Sequence, residues 1–284
     1  MYKCRGCNAP PQPSPWKGRC PSCLLPWNCV PVGRAHAQKG DATLADANTV
    51  EERPHLSTGI REFDVVVSSK GGLVFGQPIF ISGPPGTGKT TLGIDIVNNV
   101  AQGKRTGLYA SGEQKVDDIL GTAKRIGAVT GNVTVLGLEG DIRAITDKAE
   151  KMETKPSIVV IDSLQTAHDD TSKGVEGSAE QCKAVAAYIT WWAKKNDVPV
   201  IIISHVNKEG DMAGPLAAQH YCDTILELDP APEVEEDGAI KEGTENYVRL
   251  TSGKNRHGAS NVSSMFKMTD AGLKPLRRSK LFSI

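Results

Sequence analysis

Apolar positions along the chain change their spacing at about Leu56. Residues 1–55 show no sustained period, whereas short apolar blocks recur beyond them, separated by polar and glycine-bearing stretches. Ser157-Ile-Val-Val-Ile161 and Pro199-Val-Ile-Ile-Ile203 are nearly continuous apolar runs. A strand with one wet face alternates, so these runs predict strands of a central, mostly parallel sheet covered on both faces. The same reading puts strands at 79–82, 106–110, 133–136, 157–161, 199–203, 223–228, 246–252 and 262–268. Between them the spacing is helical, over 89–102, 114–126, 141–153 and 178–196, with a short helix around Phe63. In the last long helix, Cys182, Val185, Ile189 and Trp192 are three, four and three apart, which is one helical face. The pair Trp191-Trp192 is assigned to packing rather than to base stacking. Residues 230–245 are acidic and rich in breakers, which predicts an exposed hairpin tip or loop between two late strands.

The junction between the first long-sheet strand and the first long helix reads Gly83-Pro84-Pro85-Gly86-Thr87-Gly88-Lys89-Thr90-Thr91. Strand, glycine-rich loop and helix start, ending in Lys-Thr, have the spacing of a nucleotide phosphate loop. The glycines let the backbone curl so that successive N–H groups point at one anion, and the helix adds the positive end of its dipole. Lys89 reaches the β- and γ-phosphates, and the Thr90 hydroxyl binds magnesium. All nine residues are therefore candidate ATP contacts.

Charge and composition narrow the picture. Lys plus Arg and Asp plus Glu both number 33, so any nucleic-acid surface must be local. No apolar run reaches membrane-spanning length, and the start Met-Tyr-Lys-Cys is unlike a secretory signal, so the expected location is cytoplasmic, with no membrane partner and with reduced thiols. Five of the seven cysteines nevertheless lie in the first 29 residues. Cys4, Cys7, Cys20 and Cys23 form two Cys-x-x-Cys hooks, a spacing that supplies four thiolates to one tetrahedral zinc. The Pro-rich segment between the hooks has few apolar residues, so zinc is its expected folding energy. Cys29 falls outside the hook spacing and reads as a spare thiol, and Cys182 and Cys222 read as buried small residues. This gives a zinc knuckle at 1–31, a linker rich in Ala, Gly, Asp, Asn and Gln at 32–55, and an α/β ATPase domain at 56–284.

Polar residues at predicted strand ends complete the candidate site. Asp162 ends one apolar strand, where a carboxylate can hold the magnesium shell; a helix N-cap is the alternative. Glu113 lies just past another strand, as a base for the attacking water or as a first-turn helix glutamate. His205 follows a third strand, as a γ-phosphate sensor or as a polar cap on the sheet. Lys254-Asn-Arg256-His-Gly258 sets two cations at a late turn, which in isolation reads as a solvated hairpin.

The order of these elements carries a resemblance. A knuckle with Trp-Lys-Gly-Arg-Cys-Pro-Ser-Cys (16–23) is followed by Leu-Ser-Thr-Gly-Ile-Arg-Glu-Phe-Asp (56–64), the phosphate loop and Tyr-Ala-Ser-Gly-Glu (109–113). Val-Ile-Asp-Ser-Leu-Gln-Thr (160–166), Ser-His-Val-Asn-Lys-Glu-Gly (204–210), Ala-Gly-Pro (213–215) and Lys-Asn-Arg-His-Gly (254–258) come next. Over essentially its whole length the chain resembles the bacterial RadA/Sms family, RecA-like ATPases of DNA recombination and repair. The resemblance implies a RecA-like core, a homo-hexameric ring around single-stranded DNA, and ATP-driven translocation with helicase and branch-migration activity. It implies Lys89, Glu113, Asp162, Lys254 and Arg256 as the catalytic set, with Glu113 activating water and Lys254 and Arg256 acting on the neighbouring subunit's nucleotide.

The resemblance further implies two DNA loops after Asp162 and His205, at about 167–178 and 206–218. Lys173 and Lys208 are their cations and glycines give mobility; loops without a DNA role are the alternative. Expected partners are single-stranded or branched DNA and a recombinase or replicative helicase at the knuckle. Two departures stand out. His257 occupies a position where the family usually has Phe. The chain ends at Ile284 without the family's usual C-terminal Lon-protease-like domain, as a short, trimmed or phage-encoded version would. A recombination mediator with little unwinding, a non-DNA signalling ATPase of the circadian-clock kind and a replicative helicase are the rival readings; the knuckle argues against the last two.

Overall fold

The apolar strands divide their side chains between two cores. Ile79 and Ile81 pack in one cluster and Phe80 in the other; Val160 is separated in the same way from Val159 and Ile161, and Ile201 and Ile203 from Val200 and Ile202. Successive strand residues point to opposite faces, so this division belongs to a sheet covered on both sides.

The computed structural model describes residues 2–4, 29–31, 53–205, 218–235 and 240–276. The chain divides into two units, 1–51 and 52–284. In the first, β1 (Tyr2–Cys4) pairs antiparallel with β2 (Cys29–Pro31), in a register that sets Cys4 across from Cys29. Cys7, Cys20, Cys23, Lys208 and linker residues 32–52 lie outside the described residues.

The second unit runs β3 (His55–Leu56), α1 (Arg61–Val67), β4 (Leu73–Val74), β5 (Pro78–Ser82), α2 (Lys89–Val100), β6 (Gly107–Ser111), α3 (Val116–Ile126) and β7 (Val133–Gly137). It continues through α4 (Ile142–Lys151), β8 (Ile158–Asp162), α5 (Ala179–Asn196), β9 (Val200–Ile203), β10 (Thr224–Pro230), β11 (Tyr247–Asn255), β12 (Ser263–Thr269) and β13 (Gly272–Pro275). Nine strands form one sheet in the order β13-β12-β11-β10-β5-β9-β8-β6-β7. The pairs from β10 to β7 are parallel, and β11, β12 and β13 extend the sheet antiparallel. α1, α2 and α3 cover one face and α4 and α5 the other. Among the described residues no helix is long and apolar enough to cross a membrane.

Each predicted strand and long helix is present, with ends that differ by at most three residues. The β3–β4 ribbon and β13 were not anticipated. Two to four residues each is too short for a period to register, and pairing, not pattern, makes them strands. The 230–245 segment joins the antiparallel pair β10 and β11, with Val234 bridged to Ile240. Cys182 and Cys222 are buried as expected.

The tryptophan pair requires a correction. Trp192 is buried and its Nε1 donates to Glu150 at 2.9 Å, but Trp191 is 52% exposed, with Lys195 Nζ 4.6 Å from its ring centroid and Tyr188 beside it. Neighbouring helical residues point about 100° apart, so two adjacent large rings cannot both face one core.

Candidate nucleotide site

β5, β8 and β9 are adjacent and parallel, so the loops leaving their C-terminal ends gather on one edge of the sheet. The phosphate loop joins β5 to α2 there. A Cβ at Gly83 would stand 2.1 Å from the Leu228 carbonyl oxygen, so β10 excludes any side chain at that position. Gly88 is the N-cap of α2 in the left-handed conformation, at φ 89°. Thr87 Oγ1 donates to the Pro84 carbonyl at 3.0 Å and holds the turn. Among the described hydrogen bonds, none engages the N–H of Gly86, Thr87 or Gly88. Free amides at the positive end of a twelve-residue helix make an anion cradle.

Lys89 is buried, and its Nζ donates to the carbonyls of Gly83 at 2.7 Å and Pro84 at 2.8 Å, lying back across the loop. Burial pushes the amine down to about 8, against the opposing pull of Asp162, Glu113 and Asp229. A polyphosphate in the cradle would supply the anionic partner that this ammonium lacks.

Asp162 is the buried last residue of β8, and its Oδ2 accepts from Thr90 Oγ1 and from the Tyr109 hydroxyl, each at 2.7 Å. Burial, then Asp162 itself, pushes Tyr109 ionisation well above its ordinary value, so the phenol remains a donor. No helix starts at Asp162, which removes the N-cap alternative. Adjacent ligands of an octahedral magnesium ion lie roughly 3 Å apart, given metal–oxygen distances of about 2.1 Å. The Thr90–Asp162 pair of hard oxygens fits that requirement.

Glu113 precedes α3 by three residues and is not a first-turn helix residue. Its Oε1 accepts a short hydrogen bond from Ser163 Oγ and lies 3.8 Å from His205 Nε2. Gln165 reaches across to the end of β9: its Nε2 donates to Ser204 Oγ at 2.9 Å and to the His205 carbonyl at 2.7 Å, and its Oε1 accepts the His205 N–H at 3.3 Å. The structure thus brings the phosphate loop, Asp162, Glu113 and His205 into one neighbourhood.

Lys254 and Arg256 belong to a second cluster. Lys254 Nζ donates to the His220 carbonyl at 3.1 Å. Arg256 Nη1 (2.9 Å) and Lys194 Nζ (3.0 Å) share Asp223 Oδ1, and His257 Nε2 stands 3.8 Å from Oδ2. Burial opposes ionisation of Asp223, but His257, Lys194 and Arg256 outweigh it and hold the carboxyl down at about 2. Asn255 fixes the turn, accepting from His257 N–H and donating to the Val66 carbonyl. No contact among the described residues joins Lys254 or Arg256 to Lys89, Glu113 or Asp162 of the same chain.

The segment after β8 differs from the mobile loop its glycines suggest. Arg143 donates from Nε and Nη2 to the two oxygens of Asp169, at 2.8 and 2.9 Å. The Gln181 side chain accepts from Asp169 N–H and donates to the carbonyls of Asp169 and Gly174. Charged and amide side chains from α4 and α5 therefore pin residues 169–174, although Lys173 itself is exposed. Among the described residues there is no cluster suited to a metal held by His, Cys, Asp and Glu alone. Sequence reasoning gave no role to Tyr109, Ser163, Gln165 or Asp223; a phenol in the middle of the strand 107–111 was the one available signal.

A family model described as an AAA domain matches residues 68–211. The DNA repair protein RadA of Escherichia coli is 34% identical over 276 residues, covering 91% of this chain and 56% of that protein. RadA of Aquifex aeolicus is 34% identical over 292 residues, covering 100% and 61%, and RadA of Bacillus subtilis is 31% identical over 282 residues, covering 94% and 58%. The chain therefore spans somewhat over half the length of these relatives. The crystal structure of the RadB recombinase is similar at a TM-score of 0.56 and 19% identity, covering 78% of this chain and all of that one, which is a likeness of fold.

Proposed function

The chain belongs to the family of that AAA-domain model and is homologous to the bacterial DNA repair protein RadA, and on this premise we propose that it is an ATP-hydrolysing, single-stranded-DNA-binding motor of recombination and repair. The observation that carries the reading is the contact of Thr90 with Asp162 beside the free amides of the phosphate loop, with Glu113 at the neighbouring strand tip.

In this reading Lys89 leaves the Gly83 and Pro84 carbonyls for the β- and γ-phosphates. Thr90 and Asp162 hold magnesium, which when bound neutralises charge on the phosphate oxygens. Glu113 orients the attacking water and takes its proton, while Ser163 and His205 fix the carboxylate. His205 senses the γ-phosphate. Lys254 and Arg256 serve a neighbouring subunit, where Arg256 exchanges Asp223 for phosphate and stabilises charge developing during transfer. We further propose a homo-hexameric ring, DNA contacts from Lys173 and Lys208, and a zinc held by Cys4, Cys7, Cys20 and Cys23.

Steady-state ATP hydrolysis with and without single-stranded DNA, across a salt series, tests the motor. Stimulation of about tenfold that weakens as salt rises is expected, because phosphate contacts release counterions. Tight ATP binding with no stimulation at any salt would sink the motor reading. Strand displacement on forked substrates separates a motor from a mediator.

A further inference from the structure

We propose that Gln165 is a positioning residue that couples the hydrolytic carboxylate Glu113 to the chain segments leaving β8 and β9. The proposal rests on the ATPase reading above and assigns a regulatory path to the same site.

β9 runs out at Ile203, and the Ser204 N–H makes the last sheet bond, to the Ile81 carbonyl at 2.8 Å. Beyond it, both backbone groups of His205 are held by Gln165: the N–H by Oε1 and the carbonyl by Nε2. A primary amide offers a donor and an acceptor side by side, so it can replace a neighbouring strand for one residue. A carboxylate has no donor and a hydroxyl is too short to span both groups. Gln165 therefore extends the order of the sheet by one residue, to His205.

The other end of the same connection reaches the chemistry. Ser163, two residues before Gln165, donates to Glu113 Oε1, and the His205 imidazole stands 3.8 Å from that same oxygen. The path closes on itself: Glu113 to Ser163, along the chain to Gln165, across to the His205 backbone, and through its ring back to Glu113. Moving the segment after β9 shifts His205, and moving the segment after β8 shifts Ser163. Either displacement re-aims the carboxylate. None of these groups bonds to the phosphate loop, so the circuit can act on hydrolysis while the loop keeps its own hold on the phosphates.

Two variants test this in the full chain. Gln165→Ala removes both bonds to the His205 backbone and the one to Ser204 Oγ. Gln165→Glu keeps an acceptor for the His205 N–H but sets a carboxylate oxygen against its carbonyl. Hydrogen exchange over 200–217 is followed with and without a non-hydrolysable ATP analogue and magnesium, alongside kcat and KM for ATP with and without single-stranded DNA. In the unsubstituted protein, exchange over this stretch should change about threefold on binding the analogue. In both variants that response should vanish and kcat with DNA should fall about tenfold, while KM for ATP stays within about twofold. A retained exchange response in either variant overturns the proposal. So does a KM that rises in step with the loss of kcat, because that marks a merely structural role. If exchange responds to the analogue in the unsubstituted protein but hydrolysis ignores DNA, the motor reading fails, and the exchange comparison still decides the role of Gln165.

Discussion

Lys89 holds its charge in an unfavourable place. Its ammonium is buried, with the carbonyls of Gly83 and Pro84 as its direct hydrogen-bond partners among the described residues, and burial lowers it from an ordinary 10.5 to about 8. Phosphate in the loop would raise it again, so ATP binding at alkaline pH should draw a proton from solution. Uptake should be roughly a tenth of a proton at pH 7 and about half at pH 8, from the fraction of neutral amine. Titration calorimetry in two buffers of different ionisation enthalpy measures it, and Lys89→Ala should abolish it together with hydrolysis. The folding linkage has the matching sign. The folded value lies below the unfolded one, so the empty protein gains stability as pH rises from about 8 toward 10.5, and bound ATP removes that gain. Residues like Lys89, Thr90 and Asp162 were legible in the sequence because their meaning is contiguous: a loop motif, or a carboxylate ending an apolar strand. Asp223 was not. It acquires its role from Lys194, Arg256 and His257, which tertiary packing brings to it from α5 and the β11–β12 turn.

At the scale of elements, burial on both faces wrote the parallel strands into the sequence as apolar runs, and α5 appeared as one apolar face that is in fact buried. Loops carry no such period, and the segment after β8 was misread for that reason. Its glycines suggested motion, while its order comes from Arg143 on α4 and Gln181 on α5. Arg143→Ala should therefore act beyond the surface. Among the described residues it leaves the buried Asp169 carboxylate with Thr171 alone as a side-chain donor, and charge-assisted bonds of this kind are worth about 1.5–3 kcal/mol. Urea melts should show a loss of that order. The acid limb should move as well. The Arg143 hydrogen bonds hold Asp169 at about 2, below its ordinary 3.8, so its contribution is complete above about pH 4 and disappears as pH falls through about 2. Without Arg143 the carboxyl returns toward its ordinary value, and acid unfolding should begin at higher pH. An unchanged acid midpoint in Arg143→Ala would show that the pair does not anchor the loop.

On the scale of the whole molecule, the separation of the two clusters becomes a statement about assembly. Within one chain, the nucleotide cluster contains Lys89, Thr90, Asp162 and Glu113, whereas Lys254 and Arg256 are engaged by His220 and Asp223. If Arg256 completes a neighbour's site, the contact between subunits is heterologous, one face offering the phosphate loop and the other the arginine, and such contacts give a ring where the rotation between subunits closes and a filament where it does not. Complementation distinguishes this from a role within one chain. Lys89→Ala chains keep Arg256 but cannot hydrolyse; Arg256→Ala chains keep the phosphate loop but lack the cation. Each should be inactive alone, with Arg256→Ala still binding ATP. Mixed in equal amounts under exchange conditions, random neighbours give an intact loop facing an intact arginine at about one interface in four, so roughly a quarter of full turnover should return. A cation acting on its own chain's nucleotide predicts no recovery at any mixing ratio, because no chain in the mixture carries both groups. Asp223→Asn adds a sign to the test: freeing Arg256 from its carboxylate should raise recovery when combined with the Lys89→Ala chain, since the arginine then leaves its resting partner at lower cost.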